Sequence, residues 1–110
     1  MIYQHKGLAS GRWFKLSFPE QMANIGSDVE RSMVWKEKGN LEYGKQAFIR
    51  ALELLEFTIA DQKNKKRLRE LTRLREVLID YFAFENIYKS TDQSWRNYFY
   101  PFNFAARRLH

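Results

Sequence analysis

Apolar positions recur at helical spacing in four stretches of the chain, separated by helix stop and start signals. Ser17 opens "SFPE", in which Glu20 lies three residues on, the spacing of a capping box. Pro19 suits a first turn, where its missing N–H removes no helical bond. Met22, Ile25, Val29 and Met33 then repeat until "KEKGN", whose cations and Gly39 end the segment. Asn40 can cap a second helix with a core face of Ala47, Phe48, Ala51, Leu52, Leu55 and Ile59. Tyr43, Leu54 and Phe57 form a second strip beside that face, so this helix is apolar around much of its girth. A third helix is expected to start near Asn64 and to pack through Leu68, Leu71, Leu74, Leu78 and Phe82. "ENIYKSTDQ" reads as a loop, and Ser90 with Gln93 forms another capping-box pattern. Trp95, Tyr98, Phe99, Phe102 and Ala106 make the inner face of a fourth helix. Pro101 would delete a backbone bond there and clash with the carbonyl of Asn97, at about 3 kcal/mol, so a kink or break is expected.

Helices of about 20 residues are about 30 Å long, and the connections are short, so the pattern predicts an all-α, antiparallel four-helix bundle. No period of 20 to 50 residues repeats, which excludes a solenoid. The bundle is expected over residues 17–110, with residues 1–16 as a flexible N-terminal arm. Gly26, beside Ala23 in the middle of helix one, marks a close helix–helix approach. A chain of 110 residues is one domain that buries roughly 65% of its unfolded surface. It has no cysteine, which excludes disulfides, thiolate metal sites and cysteine nucleophiles. "MIYQHKGLASGRWFKL" lacks the apolar run of a signal peptide, and no segment approaches the roughly 18 apolar residues of a membrane span. A soluble, cytoplasmic protein with no membrane partner is expected.

Charge changes this picture most. The chain carries 19 Lys and Arg against 13 Asp and Glu, a net of +6. "KNKKRLRELTRLR", from Lys63 to Arg75, holds the whole excess: without it the chain nets zero. On a helix, Lys65, Lys66, Arg69 and Arg73 gather opposite the leucines, joined lower down by Glu76 and Asp80, with Arg67 and Lys63 at the edge. One reading is a solvated face with local pairing, such as Lys66 with Glu70. The other is a phosphate-backbone site. Two features favour the second: cations at a helix N-terminus oppose the macrodipole, and charge needed for solubility alone could be spread over the surface. An anionic membrane surface fits less well, because the opposite face is committed to a core.

The outward side of helix four carries Arg96, Tyr100, Phe104 and Arg107, with Arg108 nearby. Arginine interleaved with exposed aromatics suits single-stranded nucleic acid, since bases stack on rings while cations track phosphates. The same rings could instead be covered by a neighbouring subunit. Arg75 falls on the edge of the apolar face, where a charge must be paired or snorkelling, and Glu30 on helix one is its candidate partner.

Catalytic chemistry is sparse. His5 and His110 are the only histidines and lie near the chain ends. Di-iron bundles need Glu-x-x-His pairs, and Glu53 and Glu56 have no following histidine; both read as solvated acids on the outer face of helix two. Gly7 and Gly11 lie in the terminal arm without a preceding strand, so no phosphate-binding glycine loop is present. The expectation is no enzyme, no metal and no cofactor.

"FPEQMANIGSDVERSMVWKEKGN", "AFIRALELLEFTIAD" and "LTRLREVLIDYF" together resemble a family of small, uncharacterised bacterial helical proteins, over roughly residues 13 to 107. That family implies no function. In size, helix count and charge the chain also resembles the four-helix-bundle accessory proteins of diversity-generating retroelements. That architecture-level likeness implies a ring-like oligomer that binds a reverse transcriptase and nucleic acid. Helical-bundle ribonucleases of toxin–antitoxin systems carry an arginine, four to six intervening residues, then histidine; "RRLH", Arg107 to His110, is too short.

Two functions follow. One is a non-enzymatic accessory protein that binds RNA or single-stranded DNA, with Lys65, Lys66, Arg67, Arg69 and Arg73 on phosphates and Arg96, Tyr100, Phe104 and Arg107 adding stacking and charge. The other is a homo-oligomeric scaffold or protein-interaction module, with Trp35, Tyr43, Leu54 and Phe57 as subunit contacts.

Overall fold

The computed structural model describes residues 11–108; His5, Gly7 and His110 lie outside them. Four α-helices follow in order, α1 (Phe18–Glu37), α2 (Leu41–Ala60), α3 (Leu68–Ala83) and α4 (Asp92–Arg108). Two 3₁₀ turns, Arg12–Lys15 and Gln62–Arg67, precede α1 and α3. Cross-helix contacts run in opposite directions along every neighbouring pair. Glu30 meets Arg96 and Phe18 meets Phe102 between α1 and α4, while Phe48 meets Phe82 and Glu56 meets Arg75 between α2 and α3. The architecture is thus an antiparallel four-helix bundle in which α1 packs mainly on α2 and α4.

The caps explain where α1 and α2 begin. Ser17 Oγ accepts from the Glu20 N–H at 3.2 Å while Glu20 Oε1 accepts from the Ser17 N–H at 2.9 Å, a complete capping box. Asn40 Oδ1 accepts from the Tyr43 N–H at 3.0 Å. Gly39, at φ 81°, closes α1 in the left-handed conformation that glycine takes without steric cost. Met22, Ile25, Val29, Ala51, Leu55, Leu71, Leu74, Leu78, Trp95 and Phe99 form the core. At Gly26 a Cβ would stand 2.8 Å from Phe99 Cγ, so the absent side chain is what lets α4 approach α1.

Several expectations are corrected. The third helix begins at Leu68, not near Asn64, because residues 62–67 wind as a 3₁₀ turn, and Leu68 itself is exposed. The cap of α4 is Thr91 in place of Ser90: Thr91 Oγ1 accepts from the Ser94 N–H at 3.0 Å and Ser94 Oγ from the Thr91 N–H at 2.9 Å. Of the kink or break expected at Pro101, the break does not occur: α4 continues through it to Arg108. Leu54 is a core residue and so not a subunit contact, and Phe57 is half-buried against that core. Glu53 is buried, not solvated. Of the arm, residues 1–10 lie outside the described region, whereas Trp13 inserts into the bundle and its Nε1–H donates to Thr58 Oγ1 at 3.0 Å.

Candidate nucleic-acid interface

The basic stretch is organised by a 3₁₀ turn. At 3.0 residues per turn, positions three apart share a face. Asp61 and Asn64 accordingly turn toward the protein, and Arg67 lies across the Phe18 ring. Asn64 is 1% exposed; its Nδ2 donates to Gln21 Oε1 at 2.9 Å and to the Thr58 carbonyl at 3.0 Å. Gln21 Nε2 donates in turn to Asp61 Oδ2 at 2.8 Å and to the Trp13 carbonyl at 3.1 Å. Burial raises the pKa of the Asp61 carboxyl, but hydrogen bonds from Lys63 and Gln21 outweigh it and leave the group below its usual value. This buried network ties both 3₁₀ turns to α1 and α2, and it points Lys65 and Lys66 at solvent.

The seven cations of the stretch divide by partner. Lys63 bonds Asp61 and, at 3.1 Å, the Phe14 carbonyl. Arg67 lies over the Phe18 ring at 4.2 Å and reaches Glu70 at 3.9 Å. Arg73 pairs with Glu76 at 3.3 Å and covers the Tyr88 ring at 4.4 Å. Arg75 pairs with Glu56, not with Glu30. Lys65, Lys66 and Arg69 are exposed and have no ion pair among the described residues. The Lys66–Glu70 pair is absent because Glu70 is taken by Arg67 and by the Tyr98 hydroxyl at 3.0 Å. Asp80 leaves the stripe altogether: it is buried, and its carboxylate accepts from the N–H groups of Ile87 and Tyr88 at 3.0 and 3.1 Å.

Helix α4 splits the second candidate set. Arg96 is paired with Glu30, which binds it through Nε at 2.9 Å and Nη2 at 2.9 Å. That hydrogen bond and the carboxylate's charge raise the arginine's pKa further. Tyr100 and Phe104 stand exposed, with Arg108 5.8 Å from the Phe104 ring and Arg107 exposed one turn on. The scaffold residues Trp35 and Tyr43 pack edge-to-face at 5.0 Å, and Tyr43 remains exposed.

Antiparallel packing collects these groups. The 3₁₀ turns, the N-termini of α1 and α3 and the C-termini of α2 and α4 all lie at one end of the bundle. Arg12, Lys15 and the exposed ring of Phe14 join Lys65, Lys66, Arg69, Arg107 and Arg108 there. The acids at that end, Glu20, Asp61 and Glu70, are each engaged in hydrogen bonds. The result is a basic pole in place of a stripe along one helix. Sequence reading missed Arg12, Phe14 and Lys15 because it took residues 1–16 as an arm; the aromatic Trp13 was the available signal that this segment docks.

Among the described residues no group of His, Asp and Glu is arranged to hold a metal ion, and no helix is long and apolar enough to cross a membrane. The chain matches no known protein-family model, no curated protein and no solved structure.

Proposed function

We propose that the protein is a non-enzymatic helical bundle that binds RNA or single-stranded DNA through its basic pole. The observation that carries this reading is the trio Lys65, Lys66 and Arg69, exposed and without a carboxylate partner, the lysines on a turn held by buried Asn64 and Arg69 in the first turn of α3. Phosphate contacts of this kind give affinity without sequence choice, so binding is sequence-tolerant. Arg12, Lys15, Arg107 and Arg108 extend the field, and Phe14 and Phe104 offer faces on which bases stack. In this reading the protein works in the cytoplasm as an accessory subunit of a larger nucleic-acid-processing complex. A reverse transcriptase is the partner that the architecture-level resemblance implies.

Fluorescence anisotropy with a labelled single-stranded RNA, titrated at several salt concentrations, tests it. Three phosphates engaged by the trio give a log–log salt slope of roughly −2, and Arg12 and Lys15 steepen it toward roughly −3.5. Lys65→Glu, Lys66→Glu and Arg69→Glu together abolish binding at moderate salt. Absence of binding at low salt, or equal binding by the triple variant, overturns the proposal.

A further inference from the structure

The opposite pole has a different character, and it holds independently of the nucleic-acid reading. The loop after α3 exposes Phe84 at 72% and Ile87 at 69%, which with Leu41 at 70% are the three most exposed large hydrophobic side chains among the described residues. The loop is not loose. Buried Asp80 accepts from two of its N–H groups, and Asn86 closes it against Ser90 in both directions, with Oδ1 accepting from the Ser90 N–H at 2.8 Å and Nδ2 donating to the Ser90 carbonyl at 2.9 Å. Asn86 and Lys89 both sit at φ 57°, an uncommon conformation for residues with a Cβ. A backbone fixed by its own side chains thus presents two large apolar groups to water.

Directly beside it, α1, α2 and the end of α3 enclose a groove of about 380 Å³, with Leu41, Phe48, Ile49 and Phe82 as its apolar lining and Lys36 and Lys45 on its rim. Ala83, the last residue of α3, lines the groove, and Phe84 follows it. Glu85 accompanies the projecting Phe84, and neither Glu85 nor Lys45 has an ion pair among the described residues. An apolar knob with an acidic edge therefore adjoins an apolar groove with a basic edge on one surface.

We infer that this pole is the interface of a two-fold symmetric homodimer, in which Phe84 and Ile87 of each copy enter the groove of the other and Glu85 meets Lys45. A two-fold interface uses the same patch on both subunits and must be self-complementary, which adjoining knob and groove provide. The fixed loop reduces the ordering cost of association. The two basic poles then face away from the dimer at its far ends.

Sedimentation equilibrium up to about 100 μM, a range in which transient interfaces associate, tests the inference. The wild-type chain is expected to reach dimer mass. Phe84→Ser and Ile87→Ser, each at an exposed site and checked for fold by circular dichroism, weaken association at least about tenfold apiece. Glu85→Lys and Lys45→Glu each weaken it when alone, because two like-charge contacts form per dimer. An equimolar mixture of those two variants restores it, since both cross-contacts become complementary. A monomer throughout the range, a larger closed mass, indifference to Phe84→Ser and Ile87→Ser, or a mixture no better than its components overturns the inference.

Discussion

Replacing Asn64 by alanine probes the buried link between the basic pole and the core. Asn64 Nδ2 is the donor for Gln21 Oε1 at 2.9 Å, and Gln21 is fully buried, so alanine leaves that oxygen without a partner. The Thr58 carbonyl also loses a donor but keeps the Asp61 N–H at 3.3 Å. An unsatisfied buried acceptor costs about 1–3 kcal/mol, and the lost bonds about 1 kcal/mol more, for a total of about 2–4 kcal/mol. Set against a domain stability of about 5–15 kcal/mol, the loss is large. It corresponds to a fall in melting temperature of roughly 10–20 °C. Urea denaturation followed by circular dichroism measures it, and the slope with denaturant should stay unchanged because the surface exposed on unfolding does. Lys65→Ala, next in the chain but pointing at solvent, should stay within about 0.5 kcal/mol of wild type. A loss below about 1 kcal/mol for Asn64→Ala would refute the idea that this network fixes the turn. The basic residues would then be held by Trp13 and Phe18 contacts alone.

Two further substitutions follow from the same structure. Gly26→Ala gains about 1 kcal/mol of helix propensity but drives a methyl to within 2.9 Å of three Phe99 side-chain atoms in the core, so a net destabilisation of about 1–2 kcal/mol by thermal denaturation is expected. Asp61 has a depressed folded-state pKa, so its ionised form contributes stability that is complete above its ordinary value of 3.8 and is lost as pH falls through the lower folded value. The stability difference between wild type and Asp61→Asn, measured by urea denaturation across acid pH, should therefore shrink below about pH 4; a difference independent of pH would contradict that assignment.

Local signals were legible and tertiary ones were not. The caps at Ser17 and Asn40 are contacts across three residues, which a sequence displays directly. The ion pairs are different: position on a helix gives the angle of Glu30 but not which helix stands opposite. Because α1 neighbours α2 and α4, Glu30 finds Arg96, while Arg75 on α3 finds Glu56 on α2. The broad apolar girth of α2 suggested a subunit contact at Leu54. One turn on, Thr58 receives the indole of Trp13, so part of that girth is covered by the segment read as an arm. Asn64 looked like a helix start because nothing local distinguishes it from a solvated asparagine. Its partners are Gln21, 43 residues away, and the Thr58 carbonyl.

The start of α3 bears on what selected the basic residues. Its N-cap is Arg67, whose side chain makes no capping bond, where a serine or aspartate would add about 1 kcal/mol. Lys65, Lys66 and Arg67 also crowd the positive end of the helix dipole, which disfavours each by about 0.3–1 kcal/mol at low salt. Only Glu70 in the first turn offsets this. Helix stability therefore argues against these residues at these positions, and the turn keeps its shape through Asn64 and Asp61 underneath. A fold that fixes the backbone of a segment from below, and leaves locally unfavourable cations on top, separates the task of holding the turn from the task of presenting its charge. The loop at the other pole repeats the arrangement with Asp80 and Asn86 beneath and Phe84 and Ile87 above. Each end of the bundle thus carries exposed side chains, locally unfavourable where they stand, on a turn bonded from beneath.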